Sequence, residues 1–545
     1  MMTIEHKSYL KYIFMMNHPQ IKVLMAQINP IVGAINENCQ KIINIIEKNH
    51  TSHDLIVFPE LAVCGYPPED LILQPDFITD IEDAIKKIAD LHPKCPVLIG
   101  CARKDQEQIL NSVAFITEHS IQYYDKQALP NYGIFDEKRY FSKGTSPFIT
   151  FEIQHHRFGV LICEDIWDKD TRTAFLKNKV QTLISINASP YQQHKHAQRL
   201  DVIRQISNHH INVLYLNLVG GQDELIFDGH SMAVNQEGQV CAAASSFEEC
   251  LFEVSIHNHQ LSGLCAPTLS PIAELYQALC CGLQDFIQKN GFKKVVLGLS
   301  GGIDSAVTLA LAVEAIGAEN VHVLLMPSPY TAQMSIDDAI EQANILKVSY
   351  DIIPIAPLFK QFQTDLQSTL NNLTQQNLQA RIRGMLLMSY SNQHHALLLS
   401  TSNKSEAAVG YCTLYGDMCG GYAVLKDVYK MEVYALARHI NEELTIIPER
   451  VIDRAPSAEL APNQTDQDDL PPYPVLDDLL RDIIEHRLST SDLQKKGYAL
   501  ELIEKIYKRI KLSEFKRFQA SPGAKVSQTA LGRDWRFPIT NHWKF

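Results

Sequence analysis

The sequence predicts an α/β protein of two domains, on three observations. Short apolar strands alternate with helix-patterned stretches through both halves. The chain has 545 residues, too many for one ordinary core. A polar stretch with two prolines, residues 257–271, separates the two alternations.

Residues 1–20 are expected to form a loose N-terminal extension, because Glu5, His6, Lys7 and Lys11 interrupt any apolar core of signal length. The first domain is expected over residues 21–256. Its strands are IKVLMAQI (21–28), DLIVFPE (54–60), PVLIG (96–100), FGVLICE (158–164), TLISINAS (182–189) and NVLYLNLV (212–219). Each is compact, rich in β-branched residues and ended by Pro, Gly, Asn or an acid. Helical patterns fill the gaps, as at Cys39–Asn49 and Ile81–Leu91. Residues 257–271 read as a linker. The second domain, 272–545, opens with the helix-like IAELYQALCCGLQDFIQKNG (272–291), which leads into the strand KVVLGLS (294–300). Residues 455–473, APSAELAPNQTDQDDLPPY, are too long for a simple connection and are either a mobile linker or a functional loop.

Composition narrows the function. Lysines and arginines number 49 against 62 acids, a formal charge of −13, which argues against a nucleic-acid backbone binder. No run of 18 apolar residues occurs, so no membrane partner is expected. The twelve cysteines are scattered without a C-x-x-C pair, which points to a reducing, cytoplasmic compartment. The 21 histidines show neither H-E-x-x-H nor matched Cys/His spacing, so no histidine metal centre is expected.

The second half carries VVLGLSGGIDSAVTLALAVEAIG, a strand, a Gly-rich turn and a helix. Backbone N–H groups at such a turn, with a helix behind them, form an anion site. The Walker lysine is missing. The loop Gly298, Leu299, Ser300, Gly301, Gly302, Ile303, Asp304, Ser305 instead offers two hydroxyls, suited to a pyrophosphate that leaves as a unit, and a carboxylate suited to Mg²⁺.

SGGIDS resembles the pyrophosphate loop of the ATP-pyrophosphatase family, whose members adenylate a carbonyl oxygen and let a nitrogen or sulfur nucleophile displace AMP. The segments 324–339, 377–392, STSNKSEAAVGYCTLYGDMCGGYAVLKDVYK (400–430), 456–473 and 515–541 are similar to the NAD synthetase branch. The resemblance implies a Rossmann-like, doubly wound parallel sheet. It implies ATP as co-substrate, with Asp304 and Glu406 holding Mg²⁺ and Thr401, Lys430 and Ser457 contacting ATP. Asn377, Asp417 and Lys516 would contact deamido-NAD, and Glu406 borders that substrate as well. Arg381 and Arg383 supply cations for phosphates or the nicotinate carboxylate, although arginines on a helix also read as solvated surface. Glu406 has a plainer reading too, as a partner of Lys404. Ser402 departs from the pattern T-G-N-K-S-E, which puts the local backbone in question.

In the first half, FPELAVCGYPPEDL supplies Glu60, YYDKQALPNYGIFDEKRYF supplies Lys126, and LICEDIWD supplies Cys163. A carboxylate, an amine and a thiol at separate strand ends make a base, an oxyanion stabiliser and a nucleophile; a lone buried cysteine would instead be core. The three segments in this order, with NASPYQQHK (187–195) and NLVGGQDELIFDGHS (217–231), resemble the nitrilase (carbon–nitrogen hydrolase) superfamily, most closely the glutaminase branch fused to NAD synthetase. The resemblance implies an αββα sandwich with Cys163 as nucleophile, Glu60 as general base, Lys126 as oxyanion stabiliser and Glu137 as a supporting carboxylate. Tyr132, Ser189 and Lys195 match positions of glutamine recognition. Glu164 and Asp165 are odd neighbours for a thiolate. Lys126 and a following helix N-terminus are expected to lower the thiol pKa. Glu164 is expected to hold the glutamine α-ammonium and Asp165 to cap the next helix.

Together the halves imply glutamine hydrolysis feeding ammonia to an adenylated deamido-NAD, through a sheltered internal passage, in a homodimer or larger homo-oligomer. Two other enzymes stay open: an amidotransferase for another adenylated carboxylate, and an ammonia-only synthetase with an inactive N-terminal scaffold. A tRNA-thiolating enzyme fits less well with an acidic chain.

Overall fold

The computed structural model describes residues 20–366, 370–462 and 464–543. All of the expected N-terminal extension but Gln20 lies outside the described residues. The chain divides into two compact units. One holds the residues up to Gln222 with Phe227–Thr268; the other holds Asp223–Ile226 and the chain from Leu269 onward. The division falls within the segment read as a linker, although residues 260–263 of that segment form an edge strand.

The first unit contains β1 (Ile21–Gln27), β2 (Leu55–Val57), β3 (Val97–Asp105), β4 (Gln108–Ile116), β5 (Ile121–Asp125), β6 (Thr150–Ile153), β7 (His156–Ile162), β8 (Thr182–Asn187), β9 (Asn212–Asn217), β10 (Val219–Gln222), β11 (Leu225–Asp228), β12 (Met232–Val234), β13 (Val240–Ala243), β14 (Cys250–His257) and β15 (Gln260–Gly263). They form a seven-stranded sheet, order β15-β14-β1-β2-β3-β4-β5, a six-stranded sheet, order β13-β12-β9-β8-β7-β6, and a two-stranded sheet of β10 and β11, of which Leu225 and Ile226 group with the second unit. One core takes side chains from the two larger sheets, including Val23, Leu55, Leu98 and Val113 from the first and Val160, Ile184, Leu214 and Met232 from the second. The central strands β7, β8 and β9 are mutually parallel, and every residue of β8 and β9 is buried. That explains their unbroken apolar sequences. The helices Ile35–Asn49 and Pro75–Ala89 belong with the first sheet, the second of them lying on β3. Lys195–Ser207 lies on β9 and β12. This is the expected αββα sandwich.

In the second unit β16 (Val295–Gly298), β17 (Val321–Leu325), β18 (Ser349–Ile352), β19 (Leu397–Ser400) and β20 (Tyr422–Ala423) make a sheet of order β18-β17-β16-β19-β20, parallel throughout. The order reverses direction between β16 and β19, the position at which doubly wound sheets bind ligands beyond their strand ends. The helix Ile303–Ile316 follows β16 and is buried on most sides, which accounts for its nearly uniform apolar sequence. C-terminal helices Tyr473–Ile484 and Leu500–Leu512 close over a core of their own, which includes Leu476, Leu480, Ile503 and Ile506. Among the described residues no helix is long and apolar enough to cross a membrane.

Two candidate active sites

In the first unit, β2, β5, β7 and β8 all deliver polar groups at their C-terminal ends. Glu60 lies just past β2, Lys126 follows β5, Cys163 follows β7, and Ala188 follows β8. β3 crosses beside Glu60 so closely that a Cβ on Gly100 would stand 2.2 Å from the Pro59 carbonyl oxygen. Glu60 is fully buried. Its Oε1 accepts from Lys126 Nζ at 2.7 Å and Asn111 Nδ2 at 2.8 Å, and its Oε2 accepts from Ala188 N–H at 2.8 Å. Lys126 Nζ also donates to Glu137 Oε1 at 2.8 Å, which takes a second bond from Tyr66 OH at 2.9 Å.

One ammonium between two buried carboxylates leaves a net negative cluster. Burial opposes the Lys126 charge, but Glu137 and Glu60 overcome that and hold its pKa well above the ordinary value. Burial pushes Glu137 up to about 7, against Lys126 and reinforced by Glu60. Glu137 Oε2 has no hydrogen-bond partner among the described residues.

Cys163 sits at the strand-to-turn junction with φ 44°, in the left-handed region, and opens a single 3₁₀ turn, Cys163–Ile166. A non-glycine residue held there is strained, which is common where a nucleophile must be presented. Its thiol pKa is raised well above 9, by burial first and then by Glu60, with Lys126 opposing. The expected lowering by Lys126 is real but too small: burial and carboxylates outweigh it. The resting group is therefore a thiol, and a base must take its proton.

Tyr132 OH donates to the two oxygens of Glu164 at 3.2 and 3.1 Å, and Lys195 contributes favourable charge while its ammonium lies 4.5 Å from the Trp167 ring centre. Tyr132, Glu164 and Lys195 thus form one cluster beside the thiol. Ser189 is buried and held by a residue the sequence reading missed. Arg199, with no exposed surface, donates to Ser189 Oγ and carbonyl O, to Pro190 O, and with one nitrogen to both oxygens of Asp228 at 2.8 and 2.7 Å. Asp165 does not cap the following helix. That helix starts at Lys169, and Asp168 caps it through Thr171 N–H.

In the second unit the loops after β16 and β19 meet at the switch point. Gly301 has φ 77°, and a Cβ there would stand 2.1 Å from the Ser335 carbonyl oxygen, so only glycine fits. Ser300 Oγ and Ser305 Oγ lie 3.0 Å apart, and Gly302 N–H donates to Ser300 Oγ at 3.2 Å. Leu299 and Ile303 bury their side chains, leaving backbone groups to line the loop with Gly298. Asp304 accepts from Lys430 Nζ and from Asn403 Nδ2, the latter at 2.8 Å. Lys430 Nζ also reaches Glu406 Oε1 at 2.9 Å. Burial and Asp304 raise the Glu406 pKa, with Lys430 opposing. Lys404 is no partner of Glu406. It is fully buried and bonded to Asp427, Ser527 and the Thr529 carbonyl.

Asp304 and Glu406 thus converge on one cation position. Two carboxylates completed by substrate phosphates are a donor set that Mg²⁺ takes, so the residues fit that ion. Among the described residues no group of three or more His, Cys, Asp or Glu could hold a metal by itself.

Asn377, Arg381, Asp417 and Lys516 meet at one loop, 410–417. Thr413 donates to Asn377 through its hydroxyl (2.9 Å) and to Asp417 through its N–H (2.6 Å). Arg381 Nε donates to Leu414 O at 3.2 Å, and Lys516 Nζ donates to Gly410 O and Cys412 O at 2.8 and 2.6 Å. Arg381 is exposed, but Arg383 is not solvated surface. It bonds Met326 O at 3.0 Å, and burial lowers its pKa to about 10 against Glu459 and Asp417, so it stays charged at neutral pH.

Thr401 follows β19 directly. Ser457 is exposed and its hydroxyl donates to Gln464 O. Its segment is tied to the loop region. Glu459 accepts from Ser335 Oγ at 2.6 Å, and Arg454, unmarked by sequence, donates to Gly301 O and Ser335 Oγ.

Two family models match the chain: carbon–nitrogen hydrolase over residues 22–264 and NAD synthase over residues 275–520. The glutamine-dependent NAD(+) synthetase of Acinetobacter baylyi is 44% identical over 96% of this chain and 99% of its own length. That of Aquifex aeolicus is 39% identical over 96% and 99%. The structure of the Acinetobacter baumannii glutamine-dependent NAD+ synthetase in complex with ADP superposes with TM-score 0.78 at 41% identity, covering 96% of this chain and 99% of that one.

Proposed function

The chain belongs to the glutamine-dependent NAD(+) synthetases, and from that premise we propose which of its residues perform each half of the reaction. The overall conversion takes deamido-NAD⁺, ATP and glutamine to NAD⁺, with glutamine hydrolysed as nitrogen donor.

In the first unit Glu60 takes the Cys163 proton as the sulfur attacks the side-chain amide carbon of glutamine. The Lys126 ammonium, held between Glu60 and Glu137, meets the oxyanion. Collapse expels ammonia, which carries the proton returned by Glu60, and leaves a thioester. Water, deprotonated by Glu60, attacks the thioester carbonyl; the C–S bond breaks, glutamate leaves, and Glu60 returns its proton to the Cys163 sulfur. Glu164, with the Tyr132 hydroxyl, receives the substrate α-ammonium, and Ser189 and Lys195 complete that pocket. The observation that carries this reading is the single Lys126 ammonium bonded to two buried carboxylates, Glu60 past the end of β2 and Glu137 at the start of the helix Glu137–Tyr140.

In the second unit the Gly298–Ser305 loop receives the ATP phosphates, with Lys430, Thr401 and Ser457 as further contacts. Mg²⁺, held by Asp304 and Glu406, would neutralise phosphate charge. Asn377, Arg381, Arg383, Asp417 and Lys516 receive deamido-NAD. The nicotinate carboxylate attacks the α-phosphorus, pyrophosphate leaves, and ammonia then displaces AMP. A homodimer at minimum belongs to the same reading; Leu373 and Met385 expose more than half of their surface on the helix Asn372–His394.

Trapping the acyl intermediate tests the first half. Glutamine with hydroxylamine should yield glutamyl hydroxamate from the parent and none from Cys163→Ala. Equal hydroxamate from both would remove Cys163 from the chemistry.

A further inference from the structure

Asp165 is fully buried and makes four hydrogen bonds, all to groups that flank the catalytic residues. Its Oδ1 accepts from the N–H groups of Gln127 and Ala128 at 3.0 and 2.8 Å, the two residues after Lys126. Its Oδ2 accepts from Ile162 N–H at 3.1 Å, the residue before Cys163, and from Tyr124 OH at 2.8 Å, two residues before Lys126.

We propose that Asp165 is a positioning residue of the glutaminase reaction, whose carboxylate clamps the Lys126 backbone of one sheet to the Cys163 turn of the other and so fixes ammonium and thiol relative to each other. This rests on the reading of Lys126 and Cys163 as catalytic groups. β5 lies at the edge of the seven-stranded sheet and β7 lies in the six-stranded sheet. No backbone ladder joins the two strands; a shared apolar core packs the sheets together, and the Asp165 bonds fix the Lys126 and Cys163 ends within that packing. A carboxylate suits the task because all four partners are donors and both of its oxygens only accept. An amide in its place would turn two donors toward donors on one side and release either the Lys126 loop or the Cys163 turn. The same bond from Ile162 N–H anchors the strained Cys163 backbone. Burial holds the Asp165 pKa up at about 6, with the Ala128 N–H and the Tyr124 hydroxyl drawing it down, so the group is ionised and fully accepting at neutral pH. The charged and titratable groups around it are Tyr124, Asp125 and Lys126 of the β5 end and Cys163 and Glu164 of its own turn.

The experiment compares the parent, Asp165→Asn, Tyr124→Phe and Cys163→Ala in the full chain. It measures glutamine kcat and KM, the stoichiometry of Cys163 alkylation by iodoacetamide, and the pH dependence of the alkylation rate. NAD formation from ammonium reports that each chain is folded. A displacement of reacting groups by about 1 Å costs on the order of 10²-fold in rate. Asp165→Asn should therefore lower kcat by about 10- to 100-fold with glutamine KM within about threefold. Full alkylation stoichiometry should remain, with a shifted pH–rate midpoint. Tyr124→Phe, which removes one bond of the four, should shift kcat and the midpoint the same way by a few-fold. The proposal is overturned if the Asp165→Asn loss matches lost alkylatable sites, if its midpoint stays put, or if Tyr124→Phe changes neither quantity. Cys163→Ala separates the two readings: if it retained glutamine use, the assignment of the nucleophile would fail rather than the clamp alone.

Discussion

Lys126 is bonded to Glu60 and Glu137 in a site with almost no solvent, and charge balance there sets both catalysis and pH response. Removing the base in Glu60→Gln should cost about 10²- to 10⁴-fold in glutamine-driven kcat, read by steady-state kinetics, while ammonia-driven synthesis stays intact. The Glu137 pKa near 7 makes a separate prediction about stability. The folded state binds a proton more tightly than the unfolded chain, whose Glu titrates near 4.5. Stability from this group is therefore complete below about pH 4.5 and falls as pH rises toward 7. Thermal denaturation of the parent against Glu137→Gln should show the parent's relative advantage shrinking between pH 5 and pH 8. Glu60 and Cys163 stand out in sequence because each ends an apolar strand pattern, whereas Lys126 is picked out by the resemblance of its segment, since β5 before it does not read as a strand. Arg199 and Asp228 do not stand out. They lie 29 residues apart, and only the arrangement of the chain around β8 and β11 brings them together. The thiol pKa was misjudged for a related reason, since sequence neighbours reveal charge but not burial.

Turns rather than strands carry the second site. The pyrophosphate loop depends on Gly301, where φ 77° and the nearby Ser335 carbonyl exclude any side chain. Gly301→Ala should abolish NAD synthesis from both nitrogen donors while glutamine hydrolysis by the first unit continues. The backbone strain alone is of order 1–3 kcal/mol, visible as a lowered melting temperature. The parallel strands β1, β2, β7, β8 and β9 of the first unit and β16 of the second are read from their continuous apolar runs; β17 to β20 are not read as strands. The hairpin strands β3 to β5 were recognised only at the start of β3, because Lys, Gln and Asp on their exposed residues break the alternation. The segment 455–473 is tied to the Gly-rich turn, since Glu459 bonds Ser335 beside it and Arg454, just before the segment, bonds Gly301 itself. Those bonds span more than a hundred residues of sequence and leave no local signature.

For the whole molecule, two chemistries share one nitrogen atom. Ammonium is not nucleophilic, and free ammonia at neutral pH reacts only through its small unprotonated fraction, so nitrogen released from glutamine is used most efficiently if it is passed on before it takes up a proton. The ratio of NAD formed to glutamine hydrolysed should accordingly approach one when deamido-NAD and ATP saturate. Chelation of divalent cations should stop NAD formation with either donor and leave hydroxamate formation at Cys163 untouched, because Asp304 and Glu406 belong to the second unit alone. The most direct measurement supplies deamido-NAD and ATP to the parent and to Cys163→Ala, with glutamine or ammonium as nitrogen source. Loss of glutamine-driven synthesis with ammonium-driven synthesis preserved is the predicted result. Equal NAD formation from both donors after the substitution would contradict it.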